Sequence, residues 1–387
     1  MLNWGNLSMK LKMHHSAFSI QHSASPQRRA LLLITDLEIG GTPTVVRELA
    51  IRLREAARVE VEVACLSPWG PVADQLKAAG VTVTPLNARG VGSLPLTLFR
   101  LVRLIHRGRF DTVFSFLVHA NLMAALASAF CPGVRFLQSI QTTQLNPKWH
   151  WWVQRLIHGA ADAMVVPSPS AGRVAREWAN VSAERIVVIP NAVDVASFDA
   201  IAANRRIPAE PFQIGFIGRL DPIKRIEDLV ASMKGWRLCQ AHLHIFGDGP
   251  QRPHIEQEIQ RLGLAERVTL HGAISRPHEA LASIDVLVLP SDAEGFGLVL
   301  IEAMAAGVPV VATRVAGIQD VVDDRKTGVL VPPRSPLDLC AAAKMACLNR
   351  EWRESSTAAA RADVQRRFAW GPVLRQYAGL LGVEYGK

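Results

Sequence analysis

From Ala30 onward, short apolar runs alternate with longer segments whose apolar positions recur every three or four residues. The runs ALLLIT (30–35), VEVEVACL (59–66), VTVTPL (81–86), DTVFSFL (111–117), RFLQSI (135–140), AMVVPS (163–168) and RIVVIP (185–190) are rich in branched residues, which predicts strands. Between them, segments such as 43–56 and 96–108 have helical periodicity. After a polar, alanine-rich connector (191–211) the alternation restarts at FQIGFIG (212–218), AHLHIF (241–246), RVTLHG (267–272), DVLVLP (285–290), PVVAT (309–313) and GVLVP (328–332). Segment 356–381 is predicted helical, with a break near Gly371–Pro372.

This pattern predicts the α/β class, with two Rossmann-like, doubly wound parallel sheets in tandem and a cleft between them. The expected divisions are a tail (1–29), a first domain (30–195), a linker (196–208) and a second domain (209–368). A final helical segment (369–387) is expected to pack back on the first domain. Ligands in such sheets bind at the carboxyl ends of the strands. That singles out the loops at Gly40–Gly41, His119–Asn121, Gly218–Lys224, Gly247–Gly249 and Asp292–Gly297.

One stretch resists the plain pattern. PSDAEGFGLVLIEAMAAGVPVVAT (290–313) is apolar almost throughout, yet it carries Glu294 and Glu302 around a GFG turn. LVLIEAMAA has almost no polar face and is expected to be a buried helix, with Glu302 inside it. A buried carboxylate needs hydrogen-bond donors, from the protein or from a ligand.

Length and charge narrow the choices. At 387 residues the chain exceeds one ordinary core. Its five cysteines form no CxxC pair, so neither a disulfide framework nor a zinc ribbon is expected, and a reducing cytoplasm is the simpler setting. Residues 1–210 hold 22 Lys and Arg against 14 Asp and Glu, whereas residues 211–387 hold 21 against 20. The net charge of +9 is therefore almost wholly a property of the first half, which can face anionic lipid or phosphorylated substrates. No nucleic-acid-binding motif accompanies it. The tail lacks the apolar core of a signal peptide, and Met9 or Met13 are alternative starts. No charge-free apolar stretch reaches the ~20 residues of a membrane span.

Three loops have phosphate character. IGRLDPIKR (217–225) sets Gly218, Arg219 and Lys224 ahead of a helix, an anion site unless it is a solvated turn. IFGDGPQR (245–252) lacks the third glycine of a dinucleotide fingerprint and is equally a chain reversal. Gly295 and Gly297 allow backbone N–H groups close to a ligand at a helix start, and LEIGGTPT (37–44) is a similar turn with Gly41. His119 lies just past a strand, where a histidine is catalytic or structural. HLH (242–244) is taken as a core or edge feature, and no metal site is expected. Trp149, Trp152 and Leu156 share a helix face beside Lys148 and Arg155, with Trp151 nearby. That suits either a bilayer interface or a core-facing stripe.

Over roughly 30–370 the chain resembles the retaining glycosyltransferases of GT-B fold. GRLDPIK is similar to the family's GRL-x-x-x-K, and 290–313 matches its Glu-x7-Glu motif. GIQDVVDDRKTGVLVP (317–332) and IPNAVD (189–194) resemble its downstream and hinge motifs. The resemblance implies that Arg219 and Lys224 grip a donor diphosphate, Glu302 accepts from the nucleotide ribose, and Glu294 binds the donor sugar. The N–H groups of Gly295, Phe296, Gly297 and Leu298 would lie beside sugar and phosphate, with Gly218 in the phosphate turn. Gly41 would admit the first domain to the diphosphate, and His119 would stand near the transferring sugar. Ala192, Asp320 and Arg225 replace the usual glycine, glutamate and glycine, which leaves the donor open.

The implied activity is transfer of a sugar, with retained configuration, from a nucleotide diphosphate sugar to a glycan or lipid-linked acceptor. Cell-envelope or exopolysaccharide synthesis is the expected setting. No cofactor is implied, and peripheral contact with an anionic membrane is expected, on the inner face of the cytoplasmic membrane. The alternatives are a sugar-nucleotide epimerase of the same shape and a non-catalytic sugar-nucleotide-binding scaffold.

Overall fold

The computed structural model describes residues 28–57, 59–236 and 240–383. The first 27 residues, with the alternative starts, and Cys239 lie outside the described residues. The first sheet has seven strands: β1 (Arg29–Ile34), β2 (Glu60–Cys65), β3 (Thr82–Pro85), β4 (Thr112–Phe116), β5 (Arg135–Ser139), β6 (Ala163–Val166) and β7 (Ile186–Val188). Their order is β3-β2-β1-β4-β5-β6-β7, and all pairings are parallel. The connecting helices are α1 (Gly41–Ala56), α2 (Pro71–Ala78), α3 (Leu94–Gly108), α4 (Val118–Ser128), α5 (Trp149–Ile157) and α6 (Pro169–Ala179).

The strand order reverses direction at β1, so right-handed crossovers put the helices on opposite faces. Alternation along β1 shows it. Ala30, Leu32 and Ile34 pack with α1 and α2, while Leu31 and Leu33 pack with α3 and α4. Strands covered on both faces must be apolar at consecutive positions, which is why these runs do not alternate in polarity.

After the short α7 (Asp199–Ala203), the second sheet comprises β8 (Phe212–Ile217), β9 (Ala241–Phe246), β10 (Val268–Gly272), β11 (Val286–Leu289), β12 (Val310–Thr313) and β13 (Val329–Val331). It is parallel too, in the order β10-β9-β8-β11-β12-β13. Its helices are α8 (Ile226–Ser232), α9 (Arg252–Arg261), α10 (His278–Ser283), α11 (Leu298–Ala305), α12 (Ile318–Val321) and α13 (Pro336–Leu348). Two helices close the chain: α14 (Arg350–Arg367) and α15 (Trp370–Leu381).

The break in the last segment falls earlier than expected, at Phe368–Ala369. Pro372 lies in the first turn of α15, where its missing N–H has no helical acceptor to lose. Trp370, Val373, Leu374 and Tyr377 of α15 join the core of the first sheet beside α1. The chain thus passes between the sheets twice, and the two passages are fastened together. Val193 N–H donates to Phe368 C=O at 2.8 Å, and Val193 bridges Ala369.

Candidate active site

The carboxyl ends of β8 and β11 build one wall of the cleft. β8 runs into Gly218, whose N–H donates to Phe246 C=O at 2.9 Å, and then into exposed Arg219. The Gly247 turn after β9 closes on this loop so tightly that a Cβ on Gly247 would overlap the carbonyl of Gly218. The GxG of 247–249 is thus accounted for by close packing of two loops. A single turn of 3-10 helix (Pro222–Lys224) then points Lys224 toward β11.

Lys224 Nζ pairs with Glu294 Oε1, and the buried Ser291 hydroxyl donates to the same oxygen at 2.8 Å. Arg219 instead lies on Asp221, at 3.0 Å, with two-thirds of its side chain in solvent. Gly297 adopts the left-handed conformation that starts α11, and no side chain caps the first N–H groups of that helix. Phe296 turns inward, edge-on to Phe368 at 5.4 Å, so only its backbone can serve a ligand.

Glu302 is the anomaly the sequence announced. Among the described residues its carboxylate has no hydrogen-bond partner. Burial pushes its pKa up to about 8, against the pull of Arg47 on α1 across the cleft. Contrary to the sequence expectation, Glu302 itself is partly exposed while most of its helix is buried, so water or a ligand can reach the carboxylate and supply donors.

The other wall belongs to the first sheet. His119 stands in the first turn of α4, exposed, with its ring 5.5 Å from Trp149 and 6.0 Å from His150. Leu117, just before that helix, holds a left-handed φ of 73°, a cost for a side chain of that size. No described contact joins His119 to Glu294. Gly41 begins α1, and the space a Cβ would occupy there is open.

Sequence reasoning missed Thr143 and Ser168, which hold the walls together, and it named Asp320 only as a departure from the family motif, without its partner. Thr143 Oγ1 donates to Glu294 C=O at 2.6 Å, and Ser168 Oγ donates to Gly295 C=O at 3.1 Å. Asp320 accepts from Ser170 N–H at 2.8 Å, in the first turn of α6. A Cβ on Gly295 would overlap the Gln141 carbonyl, so glycine is what permits this approach. Ser291 lies two residues past β11, next to the loop the sequence singled out at Asp292–Gly297, and was findable from that place at a strand's carboxyl end. Thr143 and Ser168 carry no local signal, since their partners lie more than a hundred residues away.

The tryptophan helix divides. Trp151, expected among the membrane-facing rings, is buried, and its indole N–H donates to Gln144 C=O at 3.0 Å. Helical geometry turns it opposite to Trp149 and Trp152, which are exposed together with Leu156. His242 and His244 share a face of β9. His244 bonds to His271 at 2.9 Å and to Gln213 at 2.7 Å. Among the described residues no cluster of three or more His, Cys, Asp or Glu side chains could hold a metal ion, and no helix is long and apolar enough to cross a membrane.

Family comparison divides the chain as the two sheets do. Residues 39–197 match the model of glycosyltransferase family 4, and residues 211–349 match that of glycosyl transferases group 1. The chain belongs to the GT-B-fold glycosyltransferases. Among relatives of this GT-B chain, the putative glycosyltransferase EpsF of Bacillus subtilis is 29% identical over 74% of the chain and 79% of that protein. The sulfoquinovosyl transferase SQD2 of Arabidopsis thaliana is 32% identical over 56% of the chain. The match spans less than half of SQD2, 44%, and it spans 54% of the glycosyltransferase MJ1607 of Methanocaldococcus jannaschii. The Anabaena protein Alr3699/HepE, solved in complex with UDP-glucose, superposes with a TM-score of 0.81 at 22% identity, over 92% of this chain and 99% of that one.

Proposed function

We propose that the protein is a retaining glycosyltransferase that moves a sugar from a nucleoside diphosphate sugar to a glycan or lipid-linked acceptor. The setting is cell-envelope or exopolysaccharide synthesis, at the cytoplasmic side of the membrane. The observation that carries this reading is Glu302, partly exposed and bonded by no protein group among the described residues, on the helix that follows the Lys224–Glu294 pair. A ribose diol supplies the donors that Glu302 lacks.

In this reading the incoming diphosphate competes for Lys224 and releases the Glu294 carboxylate to the hydroxyls of the donor sugar. Arg219, held among the described residues by Asp221 alone at the surface, swings to the same phosphates. The N-terminus of α11 adds its partial positive charge. Departure of the diphosphate is the demanding step. The cations act where charge develops, an electrostatic contribution that needs no protein nucleophile. The acceptor hydroxyl attacks from the side the leaving group vacates, and a departing phosphate oxygen takes its proton. His119 lines the acceptor side of the transferring sugar.

A screen of UDP-, GDP- and ADP-sugars for binding and slow hydrolysis tests the reading. Saturable binding of one class, abolished by Lys224→Ala, is expected. Binding of none would overturn it.

A further inference from the structure

Exposed large apolar side chains are concentrated on one surface of this molecule. α3, α4 and α5 form one layer on the first sheet, with α3 packed on α4 and α4 on α5. The outer side of that layer is apolar where a solvated helix would be polar. On α3, Leu96 and Phe99 are 51% and 62% exposed. Leu126 and Phe130 stand out at the end of α4, and Trp152 and Leu156 on α5 are 63% and 64% exposed. The second sheet and its helices show only Leu337 and Leu348 in this class among the described residues.

The charges on the same layer have one sign. The outward stripe of α3 continues from Leu96 and Phe99 into Arg100, Arg103 and Arg107, spaced three and four apart. Arg155 lies beside Leu156 on α5, and Lys148 precedes that helix. None of the three helices contains an aspartate or glutamate.

We infer that this layer docks on an anionic lipid bilayer. Apolar tips interspersed with cations, without carboxylates, match a surface whose headgroups are negative and whose interior is hydrocarbon. Phe99 and Trp152 suit the interfacial region, and the arginines reach phosphates while their stems lie along the apolar surface. A second copy of the chain is a poor occupant, because a two-fold contact would set the same cations against each other. Nucleic acid would use the cations but gain nothing from Leu96, Leu126 and Leu156. The inference extends the lipid-linked part of the functional reading by naming the surface and its partner. It is tested separately, because the residues concerned lie away from the donor site.

The experiment is co-sedimentation of the full chain with vesicles of phosphatidylcholine, alone or with about a quarter phosphatidylglycerol. Two double variants accompany it: Leu96→Ser/Phe99→Ser and Trp152→Ser/Leu156→Ser. Binding should require phosphatidylglycerol and fade with salt, and each double variant should weaken it about tenfold. Melting temperature and nucleotide-sugar binding should stay at the parent's values. Equal pelleting with both vesicles, pelleting with neither, or variants that bind like the parent would each overturn the inference. So would dimers of the parent that both variants dissolve, since the face would then join two copies. Loss of nucleotide-sugar binding in the parent would instead strike the transferase reading and leave the vesicle result standing.

Discussion

The ammonium of Lys224 rests on the carboxylate of Glu294, seventy residues away, and the Ser291 hydroxyl holds the same oxygen. Each charge is therefore compensated in the protein, and a ligand that takes one must free the other. Arg219→Ala and Lys224→Ala should each lower kcat/KM by about one to two orders of magnitude, the loss of a charge-assisted contact worth about 1.5–3 kcal/mol. Their melting temperatures should differ. Arg219 is mostly in solvent and should be neutral, whereas Lys224→Ala leaves Glu294 with Ser291 alone and should melt lower. Steady-state kinetics with thermal melts on both variants check this, and parental kcat/KM in either would remove the diphosphate role of that residue.

The two glutamates should separate kinetically. Glu302→Gln keeps the shape but loses the charge, and should raise KM for the nucleotide sugar with little change in kcat. Glu294→Gln should lower kcat, because its contacts are assigned to the sugar that moves. Donor titrations beside turnover at saturating donor distinguish the two patterns.

Glu302 also makes a pH prediction. Its carboxyl is raised from 4.5 to about 8, so the folded, donor-free protein binds a proton there more tightly than the unfolded chain. The stability it contributes is full below the unfolded value and is lost as pH rises through about 8. A ribose donates to the ionised form, so nucleotide-sugar affinity should run the other way and strengthen toward pH 8. Melting curves and donor affinities across this window should both flatten in Glu302→Gln.

Gly295→Ala tests the contact between the walls. The added methyl meets the Gln141 carbonyl, so the loop and the first sheet cannot approach as they do here. Turnover should fall by at least about tenfold, as expected when reacting groups are misplaced by about an ångström. Thr143→Ala, which removes one hydrogen bond without adding bulk, should cost much less. Equal losses in the two would point to the hydrogen bond and away from the close approach.

Much of this architecture was legible in local pattern. Every strand run found in the sequence is a strand, because helices cover both sheets and force consecutive apolar positions. The burial of most of α11 was legible for the same reason, whereas Glu302 itself turned out partly exposed on it. The fate of Trp151 was not, because a run of aromatic residues does not say which of them points inward. Nor were Thr143 and Ser168 legible, nor the partner of Asp320. Their partners lie across the cleft, and only the tertiary arrangement brings them together. Segment 96–108 showed only helical periodicity, and its apolar outer stripe emerged with the packing.

The hydrogen bond from Val193 to Phe368 has a mechanical meaning. Two separate covalent passages would let the halves of the molecule slide, twist and part. Passages tied at one point leave chiefly rotation about that point, so opening and closing reduce to a swing around a nearly fixed pivot. The loop at Glu294 and the wall at Thr143 then meet in the same register at every closure, although 151 residues separate the two.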